Sequence, residues 1–72
     1  MNEEKFKIRI YGKSELAMLY FPNSSKETAM RTFRSWLKFN PRLRHITKKK
    51  RKYFLVSEVK KITEELGEPF EI

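Results

Sequence analysis

The sequence contains no cysteine, no aspartate, only two glycines and one histidine among its 72 residues. Without cysteine, neither a disulfide framework nor a thiolate metal site can form. Without aspartate, no side chain of that type can orient His45 for nucleophilic catalysis. Gly12 and Gly67 are too few for a phosphate-cradling loop. We therefore expect a protein that is not an enzyme, binds no cofactor or metal and has no small-molecule substrate.

Long apolar runs are also missing. No stretch of the sequence approaches the length that spans a bilayer, and the polar residues 1–5 are not followed by an apolar run of signal-peptide length. We therefore expect a cytoplasmic protein without a membrane contact. A chain of 72 residues forms one domain at most, so residues 1–72 are taken as a single domain whose core is small.

Positive charge is in excess, and it is concentrated in the middle of the chain. The net charge is +8, and residues 26–52 hold eleven Lys or Arg residues against one acid, Glu27. Residues 57–72 reverse this balance with two bases and five acids. Such a charge distribution costs self-repulsion and creates a positive potential that a polyanion can relieve. The composition therefore indicates nucleic acid as the class of partner.

The first third of the chain predicts a strand followed by a short helix. Apolar and polar residues alternate up to Tyr11, and the alternation predicts a strand that buries Phe6, Ile8 and Ile10. Gly12 ends this strand, and Ser14 is expected to cap the helix. Pro22 stops the helix because the residue before a proline is pushed out of the helical region.

The middle of the chain predicts a longer helix with a narrow apolar stripe. Ser24 and Glu27 have the spacing of a capping box, so we expect the helix to begin there and to run to about Phe39. Basic residues fall on its other faces. The predicted stripe consists of Ala29, Phe33, Trp36 and Leu37.

After Pro41, the sequence predicts a short helix, a basic loop, a strand and a last helix. Leu43 and Ile46 are the inward pair of the short helix, residues 48–52 form a loop or the tip of a hairpin, and residues 53–56 read as a strand. Ser57 is expected to cap the last helix, which Gly67 ends. Val59, Ile62 and Leu66 form its buried side. The predicted class is α+β, mostly helical, in the order strand, helix, helix, short helix, strand, helix.

Two helices joined by a tight turn, then a basic loop and a strand, match the layout of a winged helix-turn-helix. In that arrangement the second helix enters the major groove of duplex DNA and the basic loop contacts phosphates. Arg31 and Arg34 are the better candidates for base contacts, because arginine pairs bidentately with guanine. Exposed Lys and Arg that serve solubility alone are the simpler explanation. The predicted nucleic-acid-binding residues are Arg31, Arg34, Ser35, Lys38, Lys48, Lys49, Lys50, Arg51 and Lys52.

A second hypothesis is a protein-interaction or homodimerisation module. The chain has a surplus of aromatic residues, and its acidic end could meet the basic centre of another copy. One route would pair the strand from Phe6 to Tyr11 across a two-fold axis and so complete a small core. The two hypotheses are compatible, because many helix-turn-helix proteins bind as dimers. The acidic end consists of Glu64, Glu65, Glu68 and Glu71.

The string FKIRIYGKSELAMLYFP, from Phe6 to Pro22, resembles the opening of a family of small uncharacterised bacterial proteins typical of gut Bacteroides. Members of that family start with IRxYGKxELAxLYxP and end with LGEP, as this chain does near Leu66 to Pro69. The family is a domain of unknown function, so the resemblance implies no activity, ligand or catalytic residue. Its ELAxLY segment is similar to the first helix of helix-turn-helix regulators, which favours DNA binding by analogy. After Ile46 the chain departs from the family, because the basic run replaces a longer connection that contains glycine.

Overall fold

The computed structural model describes residues 6–69 of the chain. The remaining residues, including Glu71 of the acidic end, lie outside the described part. The predicted element order is confirmed, and so is the mostly helical α+β class. In chain order the elements are β1 (Tyr11–Gly12), α1 (Lys13–Tyr20), α2 (Lys26–Phe39), α3 (Arg44–Thr47), β2 (Tyr53–Phe54) and α4 (Val56–Leu66).

The two strands pair antiparallel, with Tyr11 opposite Phe54 and Gly12 opposite Tyr53. Three helices separate the strands in the sequence, so this pairing brings the start of α1 beside the segment that precedes β2. The backbone N–H of Lys13 extends the pairing by donating to the carbonyl of Lys52 at 3.0 Å. The basic residues 48–52 are therefore a loop that leads into β2, and they are not the tip of a hairpin.

A single hydrophobic cluster joins the elements. α2 contributes Ala29, Phe33 and Leu37, and the ring of Phe33 stacks on Tyr20 of α1 at a centroid distance of 5.0 Å. The other edge of Phe33 meets Phe54 of β2 at 6.0 Å. As predicted, Leu43 and Ile46 are fully buried, although Leu43 directly precedes the short helix α3, and Val59 and Ile62 of α4 are fully buried as well. Leu66 is only partly buried, at the edge of this cluster.

The predicted strand over residues 6–11 is wrong in its first part. Only Tyr11 and Gly12 are in β1, and Ile8 and Ile10 are 41% and 49% exposed. Phe6 is buried because its ring stacks on Tyr11 at 5.2 Å. Residues five apart in a straight strand lie roughly 16 Å apart on opposite faces, so this stacking requires the chain to bend. The hydroxyl of Tyr11 stabilises the bend by donating to the carbonyl of Lys7 at 2.8 Å.

The predicted caps of α1 and α4 are also wrong, because glutamates replace serines in that role. α1 begins after Gly12, whose N–H donates to the carboxylate of Glu15 at 3.2 Å. α4 begins after Leu55, whose N–H donates to Glu58 at 3.0 Å. The side chains of Ser14 and Ser57 therefore cap neither helix.

α2 begins one residue later than predicted. The hydroxyl of Ser25, and not that of Ser24, accepts a hydrogen bond from the N–H of Thr28 at 3.2 Å. Trp36 was predicted to lie in the core, but it is 39% exposed and meets Phe21 edge-on at 4.7 Å. α4 ends as predicted at Gly67, whose φ of 84° is readily adopted only by glycine.

Candidate nucleic-acid interface

One side of α2 carries both core residues and cations. Successive residues of an α-helix are rotated by about 100°, so Arg34 and Lys38 lie next to the buried Phe33 and Leu37 around the helix. Arg31 lies one step further round. The cations of this side therefore stand at the border of the hydrophobic cluster, and the same packing that buries Phe33 fixes their direction.

The second group of cations lies in residues 48–52, and two hydrogen bonds from Lys13 hold this segment. The backbone N–H of Lys13 donates to the carbonyl of Lys52, and its ammonium Nζ donates to the carbonyl of Lys49 at 2.8 Å. The start of the segment is held near the buried Ile46, because the N–H of Lys49 donates to the carbonyl of Ile46 at 3.2 Å. The path of this basic loop is thus fixed at both ends.

A cleft of about 990 Å³ separates α2 from the basic loop. Its floor is apolar and its rim is cationic, with residues from α1, α2 and the loop. No carboxylate lines it in the described part of the chain. The floor consists of Phe33, Leu37 and Phe54, the exposed Met30 also lines the cleft, and the cleft cations are Lys13, Arg31, Arg34, Lys38, Lys48, Lys49 and Lys50.

None of the seven cleft cations forms an ion pair within residues 6–69. The ion pairs of this part of the chain belong to three other arginines. Arg9 pairs with Glu15 at 3.0 Å, Arg42 with Glu65 at 3.7 Å, and Arg51 with Glu58. The charge of the cleft is therefore not neutralised by the carboxylates of the described residues.

The closeness of these charges affects Lys13. Burial lowers the pKa of the Lys13 ammonium, and the positive charges of Arg34 and Arg51 lower it further, while Glu58 partly offsets them. An approaching anion would relieve this repulsion. The protein thus places like charges near one another beside the cleft, and their repulsion opposes folding.

Glu58 lies at the start of α4 with both carboxylate oxygens occupied. One oxygen pairs with Arg51, and the other accepts from the N–H of Leu55. Burial raises the pKa of Glu58, but the hydrogen bonds from Arg51 and Leu55 outweigh it, so the pKa lies below its ordinary value. The Nε of Arg51 is buried and has no hydrogen-bond partner among the described residues.

Six of the nine residues predicted from the sequence to bind nucleic acid line this cleft. They are Arg31, Arg34, Lys38, Lys48, Lys49 and Lys50. Ser35 lies further round α2 and does not line the cleft, Arg51 turns toward Glu58, and Lys52 lies outside the lining. Lys13 was not predicted from the sequence, because its position depends on pairing between strands that are distant in the chain. The signals that the sequence offered for the position of Lys13 were Gly12 before it and the predicted helix after it.

Neither a metal-ligating group nor a membrane-spanning helix is found among the described residues. Within residues 6–69, no group of His, Cys, Asp or Glu side chains is arranged to hold a metal ion. Over the same residues, no helix combines the length and apolar character needed to cross a membrane.

The comparison with known families identifies the chain. Residues 7–69 match the domain of unknown function DUF4248, so the chain belongs to this family. The resemblance to a family without an assigned function is thereby confirmed. No curated protein and no solved structure matches the chain.

Proposed function

We propose that this protein is a small DNA-binding module of winged-helix type, without enzymatic activity. The observation that carries the proposal is the cleft, which collects seven cations from three parts of the chain, none of them in an ion pair within residues 6–69. Unneutralised positive charge at one place favours a polyanion, because binding releases the counterions condensed on the phosphates.

In the proposed complex, α2 is the recognition helix and the basic loop is the wing. α1 and α2 form the helix-turn-helix, and the turn between them spans residues 21–25. Lys48, Lys49 and Lys50 contact phosphates and supply affinity that does not depend on sequence. Arg31 and Arg34 are proposed to reach base edges, since a guanidinium pairs bidentately with guanine.

A titration against duplex DNA at low and at moderate salt tests this proposal. We expect binding whose constant falls steeply with salt, by about 0.9 units of log K per unit of log salt for each phosphate contact. No binding at either salt concentration would remove the proposal. Single-stranded DNA and RNA, titrated in parallel, decide between duplex and single strand.

Two variants that remove the same charge sharpen the test. The triple variant Arg31→Ala, Arg34→Ala, Lys38→Ala removes three cleft cations, and we expect it to weaken binding about 10- to 100-fold and to reduce the salt slope. The control variant Lys26→Ala, Arg42→Ala, Arg44→Ala removes three cations outside the cleft, and we expect a smaller loss. Equal losses would mean that the net charge, and not the cleft, attracts the nucleic acid.

A second candidate function is self-association, and one observation favours it. Ile10 precedes β1, Tyr53 lies in β2 on the face opposite Phe54, and Leu55 follows β2, so the three form an apolar group at the ribbon. These three are 49%, 44% and 37% exposed. We propose that this apolar group, and not a strand over residues 6–11, would join two copies. Light scattering that shows a strict monomer at high concentration would count against it.

A further inference from the structure

The basic loop is shaped by an acid that is not part of the cleft. Arg51 is the fourth of the five loop residues, and it pairs with Glu58 at the start of α4. The Nε of Arg51 is buried and one terminal nitrogen of its guanidinium pairs with Glu58, while the side chain as a whole is 30% exposed. Together with the two hydrogen bonds from Lys13, this pair fixes the backbone from which Lys48, Lys49 and Lys50 project.

We propose that Glu58 is a positioning residue for nucleic-acid binding and that it acts through Arg51. This inference rests on the proposed function. Arg51 is accordingly a structural anchor of the basic loop and makes no phosphate contact. By holding the loop in place before the ligand arrives, the pair reduces the conformational entropy lost when the three lysines engage phosphates.

Removing the negative charge at position 58 is expected to change the affinity for DNA in the direction opposite to that of general electrostatics. Replacing a glutamate by glutamine removes one negative charge from a chain whose net charge is +8, so general electrostatics predicts tighter binding to DNA. At position 58 we expect the opposite. In the variant Glu58→Gln, the new amide oxygen can still accept from the N–H of Leu55, so the helix cap is kept and only the ion pair is removed.

The matched control is Glu64→Gln on the same helix. Glu64 is exposed and forms no ion pair with the described residues, and its replacement changes the net charge by the same amount. We expect Glu64→Gln to tighten DNA binding by up to about 2-fold, and Glu58→Gln to weaken it by about 3- to 10-fold. The salt slope should also fall by about one unit in Glu58→Gln, because fewer lysines engage phosphates at once.

A double-mutant cycle tests whether Glu58 acts through Arg51. If the pair is one unit, Arg51→Met weakens binding, and adding Glu58→Gln to it has little further effect. If Arg51 instead contacts a phosphate, the two changes act independently, and Glu58→Gln tightens binding in either background. That result would overturn the inference.

Two further measurements distinguish an effect of the variants on DNA binding from an effect on folding. All titrations are made well below the thermal transition of each variant, and a variant that is merely partly unfolded would show a weaker binding constant with an unchanged salt slope. Hydrogen exchange of the Lys13 amide, which donates to Lys52, reports directly how firmly the loop is held, and we expect faster exchange in Glu58→Gln.

Wild-type protein that binds no nucleic acid would overturn the proposed function and this inference together. Wild-type binding combined with tighter binding by Glu58→Gln would overturn the inference alone.

Discussion

The seven cleft cations and the three paired arginines elsewhere on the surface have different surroundings. Arg9, Arg42 and Arg51 each face a glutamate, and the first two pairs are exposed to solvent. The seven cleft cations have no such partner in residues 6–69, although Glu58 lies close enough to Lys13 to affect its pKa. Two of the three glutamates of α4 are therefore paired with arginines that do not line the cleft: Glu65 with Arg42 and Glu58 with Arg51.

This difference shows where the charge of the cleft comes from. Its cations lie in three separate parts of the sequence, and the apolar floor brings them together. Phe33 contacts both Tyr20 and Phe54, so it links α1, α2 and β2 beneath the rim. The repulsion among the cations is tolerated because this packing opposes it.

The largest expected effect follows from removing the floor without changing any charge. Phe33→Ala deletes a side chain that is 2% exposed and in contact with two aromatic rings. We expect the free energy of unfolding to fall by about 3–5 kcal/mol, which is enough to unfold a domain of this size. Urea denaturation measures the loss. DNA binding should disappear with the fold, although all seven cations are still present.

Trp36→Ala on the same helix is the control for this prediction. Tryptophan is the larger side chain, but Trp36 is 39% exposed and contacts Phe21 only by a ring edge. We expect a smaller loss of about 1–2 kcal/mol, because less apolar area returns to water. A loss as large as that of Phe33→Ala would show that the aromatic pair outside the floor is equally important for the fold.

Local patterns predicted the helices well and the long-range contacts poorly. The spacing of Ala29, Phe33 and Leu37 predicted the buried side of α2, and the cations of that helix followed from the same period. The alternation at Ile8 and Ile10 led to the wrong prediction of a strand over residues 6–11, because the ring of Phe6 folds back onto Tyr11.

For the candidate site, the sequence could not predict which residues each basic side chain contacts. Lys13 and Arg51 are both basic residues in basic surroundings, and nothing local separates their roles. The strand pairing brings Lys13 to the basic loop, and Glu58 draws Arg51 away from the cleft. Ser35 was included because it falls on a face of α2 away from the apolar stripe, but it lies further round the helix than the cations and does not line the cleft.

A smaller effect is expected from pH, and it concerns the pair that links the basic loop to α4. The pKa of Glu58 is lower in the folded protein than in the unfolded chain, so the pair stabilises the fold fully above the unfolded pKa. This contribution is lost as the pH falls through the folded pKa. We expect wild type to be more stable than Glu58→Gln by about 1–2 kcal/mol near neutral pH, with the difference shrinking in acid. Thermal unfolding of both proteins from neutral to acidic pH measures it. A difference that stays constant with pH would mean that the carboxylate charge is not what stabilises the loop.

The smallest expected effect belongs to an arginine that is paired outside the cleft. Arg42 lies 3.7 Å from Glu65, and its side chain is 75% exposed, so water and salt screen the pair. We expect Arg42→Ala to change the free energy of unfolding by less than about 0.5 kcal/mol, measured by urea denaturation. Its effect on DNA affinity should also be smaller than that of Arg34→Ala, although each variant removes one positive charge. The two single variants thus compare position at constant net charge, because Arg34 lines the cleft and Arg42 does not. If Arg42→Ala weakened binding as much as Arg34→Ala, the absence of an ion pair at the cleft would have no bearing on where the nucleic acid binds.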